Sequence, residues 1–176
     1  MSPTMSPTMS QVEATSSAAD AHSEPRPPTK PSRMEVLAAL HAVYDENDAL
    51  SLATAGGTIS PWVLGAYFAH DGNDLYVFLE QSGRSLQNIQ QDARVAFVIS
   101  KNDANKDFVQ AQARAEILPA NDENFVRALL EKKMPWFKTY TPVVPVRLVP
   151  LEVSVSSLAR GWFPAQKVVF EKNSHA

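Results

Sequence analysis

The chain has 176 residues and a net charge of −3, with 16 basic side chains, 19 acidic side chains and no cysteine. The lack of cysteine excludes disulfides, thiolate catalysis and zinc–thiolate sites, and the acidic balance argues against a general nucleic-acid-binding protein. No apolar run is long enough to cross a bilayer, so we expect a soluble, cytoplasmic protein that does not act at a membrane.

Residues 1–33 differ in composition from the rest of the chain. They contain 6 of the 13 prolines and no aromatic residue, and they begin with a repeated Met-Ser-Pro-Thr. Such a stretch cannot bury enough apolar surface to offset its chain entropy, and it lacks the apolar core of a signal peptide. We therefore predict a disordered tail at 1–33 and one folded domain at 34–176.

The folded part opens with a predicted helix. Ser32 and Glu35 have the spacing of a capping box, and the apolar positions that follow lie on one helical face until about Glu46. A strand at 49–55 then leads into Ala-Gly-Gly-Thr at 55–58. We predict a tight hairpin turn there, with positive φ at both glycines.

Most of the remaining chain shows the alternation or the β-branched composition of strands. Short helices are predicted after Ser82 and at 121–133. Tight turns connect the segments, and no strand–helix–strand alternation occurs, which argues against a parallel sheet. The sequence therefore predicts an α+β fold, mainly β, with an antiparallel barrel that removes the sheet edges. The remaining predicted strands are 59–70, 75–79, 94–99, 107–118, 142–156 and 167–170.

The turn Ser82-Gly83-Arg84-Ser85 is the strongest candidate for a binding site. It combines two hydroxyl groups, a glycine that permits close approach of a ligand, and an arginine whose fork fits phosphate oxygens. The N–H groups at a helix start add a positive partial charge. An alternative interpretation is structural: a serine N-cap followed by an arginine that faces solvent.

Three segments together resemble the FMN-binding split barrel of the pyridoxamine 5'-phosphate oxidase-like superfamily. These are Leu-Ser-Leu-Ala-Thr-Ala at 50–55, the hairpin at 67–78, and the run from Ser82 to Val95. The last is similar to the family pattern S-R-K-A-x-N-I-x-x-x-P-R-V. The resemblance spans residues 34–158 and is strongest to small bacterial members. It implies a six-stranded antiparallel split barrel and a homodimer with FMN at the interface.

The same resemblance implies roles for individual residues. Ser82, Arg84 and Ser85 would bind the FMN phosphate. The isoalloxazine would lie along β-strand residues, and the partner subunit would add two more contacts. The implied ring contacts are Val63, Leu64, Gly65, Ala66, Phe78 and Leu79, and the implied partner contacts are Gln112 and Trp162.

The sequence also departs from the family pattern. Ser85 replaces a lysine, Ala93 replaces a proline, and no basic set for substrate binding follows Arg160. The resemblance therefore implies an FMN-dependent oxidoreductase of unknown substrate rather than the oxidase itself. No catalytic residue is indicated.

Other interpretations stay open at this stage. One is a non-catalytic or stress-related split-barrel protein that holds haem, a deazaflavin or no cofactor, with His70 as the candidate axial ligand. The four histidines are scattered, so no metal site is predicted. His41 is interpreted as a partly buried structural residue. The tryptophans Trp62, Trp136 and Trp162 are interpreted as anchors of the core or of an interface.

Overall fold

The computed structural model describes residues 30–103 and 105–170, and these contain three α-helices, one short 3₁₀ turn and seven β-strands. Residues 1–29 of the predicted tail lie outside the described residues. The helices are α1 (Arg33–Glu46), α2 (Arg84–Gln91) and α3 (Glu123–Lys133). The strands are β1 (Ala49–Thr54), β2 (Trp62–Asp71), β3 (Asp74–Glu80), β4 (Arg94–Ile99), β5 (Phe108–Ile117), β6 (Val143–Ser157) and β7 (Trp162–Val169).

The strands form one antiparallel sheet in the order β3-β2-β1-β4-β5-β6-β7, and β3 also pairs with β6. This extra pairing closes β1 to β6 into a six-stranded barrel. The first part of the long strand β6 pairs with β3, and its second part pairs with β7. The predicted α+β fold with a six-stranded antiparallel split barrel is confirmed.

Alternating side chains fill the barrel. Along β5, Val109 and the alanines at 111, 113 and 115 are buried, whereas Gln110, Gln112 and Arg114 are exposed. This is the predicted pattern, and it follows from the two-residue period of a strand. Ile117 departs from it and is exposed at the last position of the strand.

Helix α1 covers one side of the core, and its start is the predicted capping box. The Glu35 backbone N–H donates to Ser32 Oγ over 3.2 Å, and the Ser32 N–H donates to Glu35 Oε2 over 2.7 Å. Such local sequence signals fix helix starts well because they need no distant partner. No helix in the described parts of the chain has both the length and the apolar character that crossing a membrane requires.

The loop between β1 and β2 corrects one prediction. The return strand begins at Trp62 rather than at residue 59, and the described glycines with positive φ are Gly72 and Gly161 rather than those of the loop. Gly56 and Gly57 are needed for a different reason. A Cβ on Gly56 would lie 2.0 Å from Asn88 O, and one on Gly57 would lie 1.9 Å from Asn88 Oδ1. They allow the loop to pack directly on α2.

One further boundary differs from the prediction. Strand β7 begins at Trp162, five residues before the predicted 167–170, because it pairs with the end of β6. In α3, Val126 is buried, whereas the neighbouring Phe125 is half-exposed and contacts Tyr76 edge-on. Helix α3 buries only one narrow stripe against β2 and β3.

Candidate functional site

A cleft of about 390 Å³ opens at one end of the barrel, where β2 begins, β3 ends and α2 begins. Alternation along β2 places Trp62 and Leu64 on the same face, and Leu79 meets them from β3. The apolar walls therefore lie beside the polar turn before α2. The lining residues are Trp62, Leu64, Leu79, Glu80, Ser82, Gly83, Arg84 and Ser85.

Ser85 carries an unsatisfied hydroxyl at this cleft. Its side chain is 4 % exposed, and its Oγ has no hydrogen-bond partner among the residues that the structure describes. Most buried hydroxyl groups are hydrogen-bonded, and leaving one unpaired costs about 1–3 kcal/mol. Ser85 also lines the cleft, which makes this hydroxyl a candidate contact for a ligand there.

The start of α2 is also open. Its N-cap is Gly83, and no side chain accepts a hydrogen bond from the first turn. The structural interpretation of a serine N-cap is therefore wrong, because Ser82 precedes the cap and its Oγ lies 3.5 Å from Glu80 Oε1 instead. The first N–H groups of a helix without a side-chain cap are available to an anion.

Arg84 is held beside the cleft by an aromatic ring. Its guanidinium carbon lies 4.7 Å from the centroid of the Trp62 ring, within the range of a cation–π contact. Arg84 forms no ion pair with any residue of 30–103 or 105–170. Its charge is thus free of a carboxylate partner within the described chain. Trp62 was interpreted as an anchor, and the structure places it in the cleft.

Asn88 of α2 connects the helix to strand β1 and to the loop that follows it, and this role was not predicted from the sequence. Its Nδ2 donates to Thr54 Oγ1 over 3.0 Å, and both side chains are buried. Because Gly56 and Gly57 pack on Asn88, this one residue ties the loop before Trp62 to α2. A polar residue between Leu86 and Ile89, on a helix this short, was the available sequence signal.

The structure brings together five of the predicted cofactor-binding residues: Leu64, Leu79, Ser82, Arg84 and Ser85. The others lie elsewhere. Val63 and Gly65 face outward from β2, and Ala66 lies in the core. Phe78 faces α3 and stacks on Phe137, because it alternates with Leu79.

Gln112 and Trp162 were expected to act from a partner subunit, and neither lies in the cleft of its own chain. Gln112 is exposed on the outer face of β5. Trp162, the first residue of β7, is buried in the main core, as an anchor residue would be. Trp136, in contrast, is more than half-exposed and meets Tyr67 edge-on at 5.1 Å.

His70 lies at the far end of β2, roughly 20 Å from Leu64 at about 3.3 Å per residue. Its Nε2 lies 2.8 Å from Asp45 Oδ1, and its Nδ1 lies 3.1 Å from the carbonyl oxygen of Gly72. Both ring nitrogens are therefore engaged, and the geometry does not favour His70 as an axial haem ligand.

His41 stacks on His70 and is bonded to Asn73 Oδ1 over 3.0 Å. Its partly buried side chain links α1 to the turn between β2 and β3. The structural interpretation of His41 is consistent with these contacts.

Residues 36–157 match the sequence model of the family described as pyridoxamine 5'-phosphate oxidase. No protein of curated function matches the chain. Among solved structures, a FAD-binding protein from Mesorhizobium loti is 23 % identical, with a TM-score of 0.54 over 71 % of this chain and 92 % of that chain.

Two haem proteins share the fold as well. A haem-binding protein from Mycobacterium smegmatis is 15 % identical, with a TM-score of 0.62 over 80 % of this chain and 59 % of that chain. The haem storage protein from Vibrio cholerae is 18 % identical, with a TM-score of 0.54 over 63 % of this chain and 87 % of that chain. At these identities the structures establish the shared fold. The family match covers more than two thirds of the chain, and the chain therefore belongs to the pyridoxamine 5'-phosphate oxidase family.

Proposed function

We propose that this protein is a homodimeric flavoprotein that binds FMN in the cleft before α2 and acts as an oxidoreductase on a small substrate. The buried, unpartnered hydroxyl of Ser85 is the observation that carries the proposal. The hydroxyl lies at the start of α2, which has no side-chain cap, and close in sequence to Arg84, which forms no ion pair among the described residues. A phosphate group would supply oxygen atoms to the hydroxyl, to the helix N–H groups and to the guanidinium.

The remaining walls of the cleft suit the rest of a flavin. Leu64, Leu79 and the Trp62 indole provide apolar surface next to the phosphate seat. Gly65 faces outward on β2 rather than into the cleft. A Cβ there would meet no atom within 4 Å, so a planar group on the proposed dimer face has room beside this backbone. These residues would bind and orient the cofactor. A bound flavin itself supplies the hydride- or electron-transfer chemistry.

The outer face of the barrel supports the homodimer. Val63 is 60 % exposed on β2, where Tyr67 is also exposed, and Val98 is exposed on β4. Strand β1 lies between them and presents the small residue Ser51. A second copy of the chain would cover this apolar face. In that arrangement Gln112, which is exposed on β5, is available to the partner's cofactor. Trp162 is already buried in its own chain, so we do not assign it that role.

The haem interpretation has less support from the geometry. The two haem proteins show that the fold is compatible with haem in other chains. In this chain, however, the candidate ligand His70 already engages both ring nitrogens and lies far from the cleft. We therefore favour a flavin.

A fluorescence titration of FMN tests the proposal. Arg84→Ala removes one charge-assisted phosphate contact, of about 1.5–3 kcal/mol, and should weaken FMN binding by roughly 10- to 150-fold. Arg94→Ala is the matched control, since Arg94 pairs with Asp92 outside the cleft. If both variants bind FMN as the wild type does, the phosphate seat is misplaced.

A further inference from the structure

The cleft is lined by one acidic side chain as well as by one basic side chain. Glu80, the last residue of β3, lines the cleft together with Arg84 on α2. These are the charged side chains among its lining residues. Glu80 Oε1 lies 3.5 Å from Ser82 Oγ, within the segment that forms the proposed phosphate seat.

Glu80 is not neutralised by its surroundings. Within residues 30–103 and 105–170 it forms no ion pair, not even with Arg84, whose guanidinium lies over Trp62 instead. Its neighbour across the β3–β6 pairing is the apolar Val143. The formal charge of the lining side chains is therefore zero, and only the helix start adds positive character.

This charge balance matters for a phosphate monoester. Such a group carries two negative charges above its second pKa of about 6 and one charge below it. A dianion in this cleft would face the Glu80 carboxylate at short range, whereas a monoanion carries a P–O–H that can donate a hydrogen bond to that carboxylate. The two forms should therefore bind very differently.

We propose that Glu80 is a specificity-determining residue that makes the cleft select phosphate groups with a single negative charge. This inference rests on the proposed function, because it concerns the same phosphate seat. For FMN it predicts preferential binding of the singly charged phosphate. The exposed position of Glu80 at a strand end means that substitution there should leave the fold intact.

Titrations of FMN and of riboflavin at constant ionic strength test the inference. With a phosphate pKa of about 6, the monoanion fraction rises about 25-fold between about pH 7.5 and about pH 5.5. The wild-type Kd for FMN should therefore fall by up to about 25-fold over this pH range. Glu80→Gln should bind FMN at least about tenfold more tightly than the wild type at the higher pH and lose most of the pH dependence.

Two controls separate the causes. Riboflavin has no phosphate, so its binding should not change with pH or with the Glu80→Gln substitution. Glu46→Gln makes the same change in net charge at the exposed end of α1, and it should behave as the wild type does.

The outcomes distinguish this inference from the proposed function. If FMN binds to the wild type but Glu80→Gln leaves both affinity and pH dependence unchanged, the role of Glu80 is refuted and the flavin site survives. If FMN binds to neither protein at either pH, the flavin proposal and the role of Glu80 fail together.

Discussion

Substitution of Gly56 by alanine tests how the cleft is assembled. A Cβ at this position would lie 2.0 Å from Asn88 O and 2.7 Å from Asp92 N, and both of these are backbone atoms. Ordinary van der Waals contact begins near 3.4 Å, so either the loop or α2 must move by more than about 1 Å. The two contacted atoms also form the hydrogen bond that ends α2, in which Asp92 N donates to Asn88 O over 2.8 Å.

The magnitude follows from this geometry. Overpacking typically costs about 1–3 kcal/mol, and we expect the upper end or more because backbone cannot rotate away as a side chain can. For a domain of this size, about 3 kcal/mol corresponds to a Tm lower by roughly 6–12 °C. Gly65→Ala is the matched control. No atom lies within 4 Å of its Cβ position, so the free energy of unfolding should change by less than about 1 kcal/mol.

Thermal unfolding followed by circular dichroism measures both variants. If Gly56→Ala unfolds at the wild-type Tm, or if both substitutions lower the Tm equally, then the loop does not pack on Asn88 as described.

Three further predictions concern other parts of the molecule. Burial lowers the pKa of Lys133 to about 8, against the opposing effect of Asp48 and Asp45. Between about pH 8 and about pH 10.5 the unfolded state therefore binds more protons than the folded state, so the free energy of unfolding should rise with pH in this window. In urea unfolding experiments, Lys133→Met should not show this rise. The proposed homodimer would bury Val98 of the outer face, so Val98→Asp should convert it to a monomer in light scattering; a variant that stays dimeric, or a wild type that is monomeric, would contradict this interface. Any Soret band that added haemin produces should be the same in the wild type and in His70→Ala. A Soret band that is present in the wild type and lost from His70→Ala would support the haem interpretation.

Local signals predicted much of the fold. The capping box at Ser32 and Glu35 and the alternation along β5 were right because each depends on neighbours in sequence. The predicted role of Gly56 and Gly57 was wrong because their actual role is to pack on Asn88, which lies more than thirty residues away in sequence. A turn glycine and a packing glycine look the same in a sequence.

The cleft was partly predictable for a similar reason. Arg84, Ser82 and Ser85 were found because they are consecutive with a helix start. Phe78 and Leu79 were both assigned to the cofactor, yet adjacent residues of a strand face opposite sides, so one of them had to be excluded. Which one faces the cleft depends on α3, which covers Phe78.

Glu80 and Trp62 needed the three-dimensional structure. Trp62 lies twenty-two residues before Arg84, and only the barrel brings its ring under the guanidinium. Glu80 reads as the ordinary polar end of a strand. Its significance appears only when it is seen to line the same cleft as Arg84, which forms no ion pair within residues 30–103 and 105–170.

The absorption spectrum of the purified full-length protein, taken after incubation with FMN and gel filtration, shows whether the chain retains a flavin. We expect flavin absorption to co-elute with the wild-type and Arg94→Ala proteins and to be lost from Arg84→Ala. A colourless wild-type protein, or flavin retained equally by Arg84→Ala, would contradict the proposal that the start of α2 holds the cofactor's phosphate.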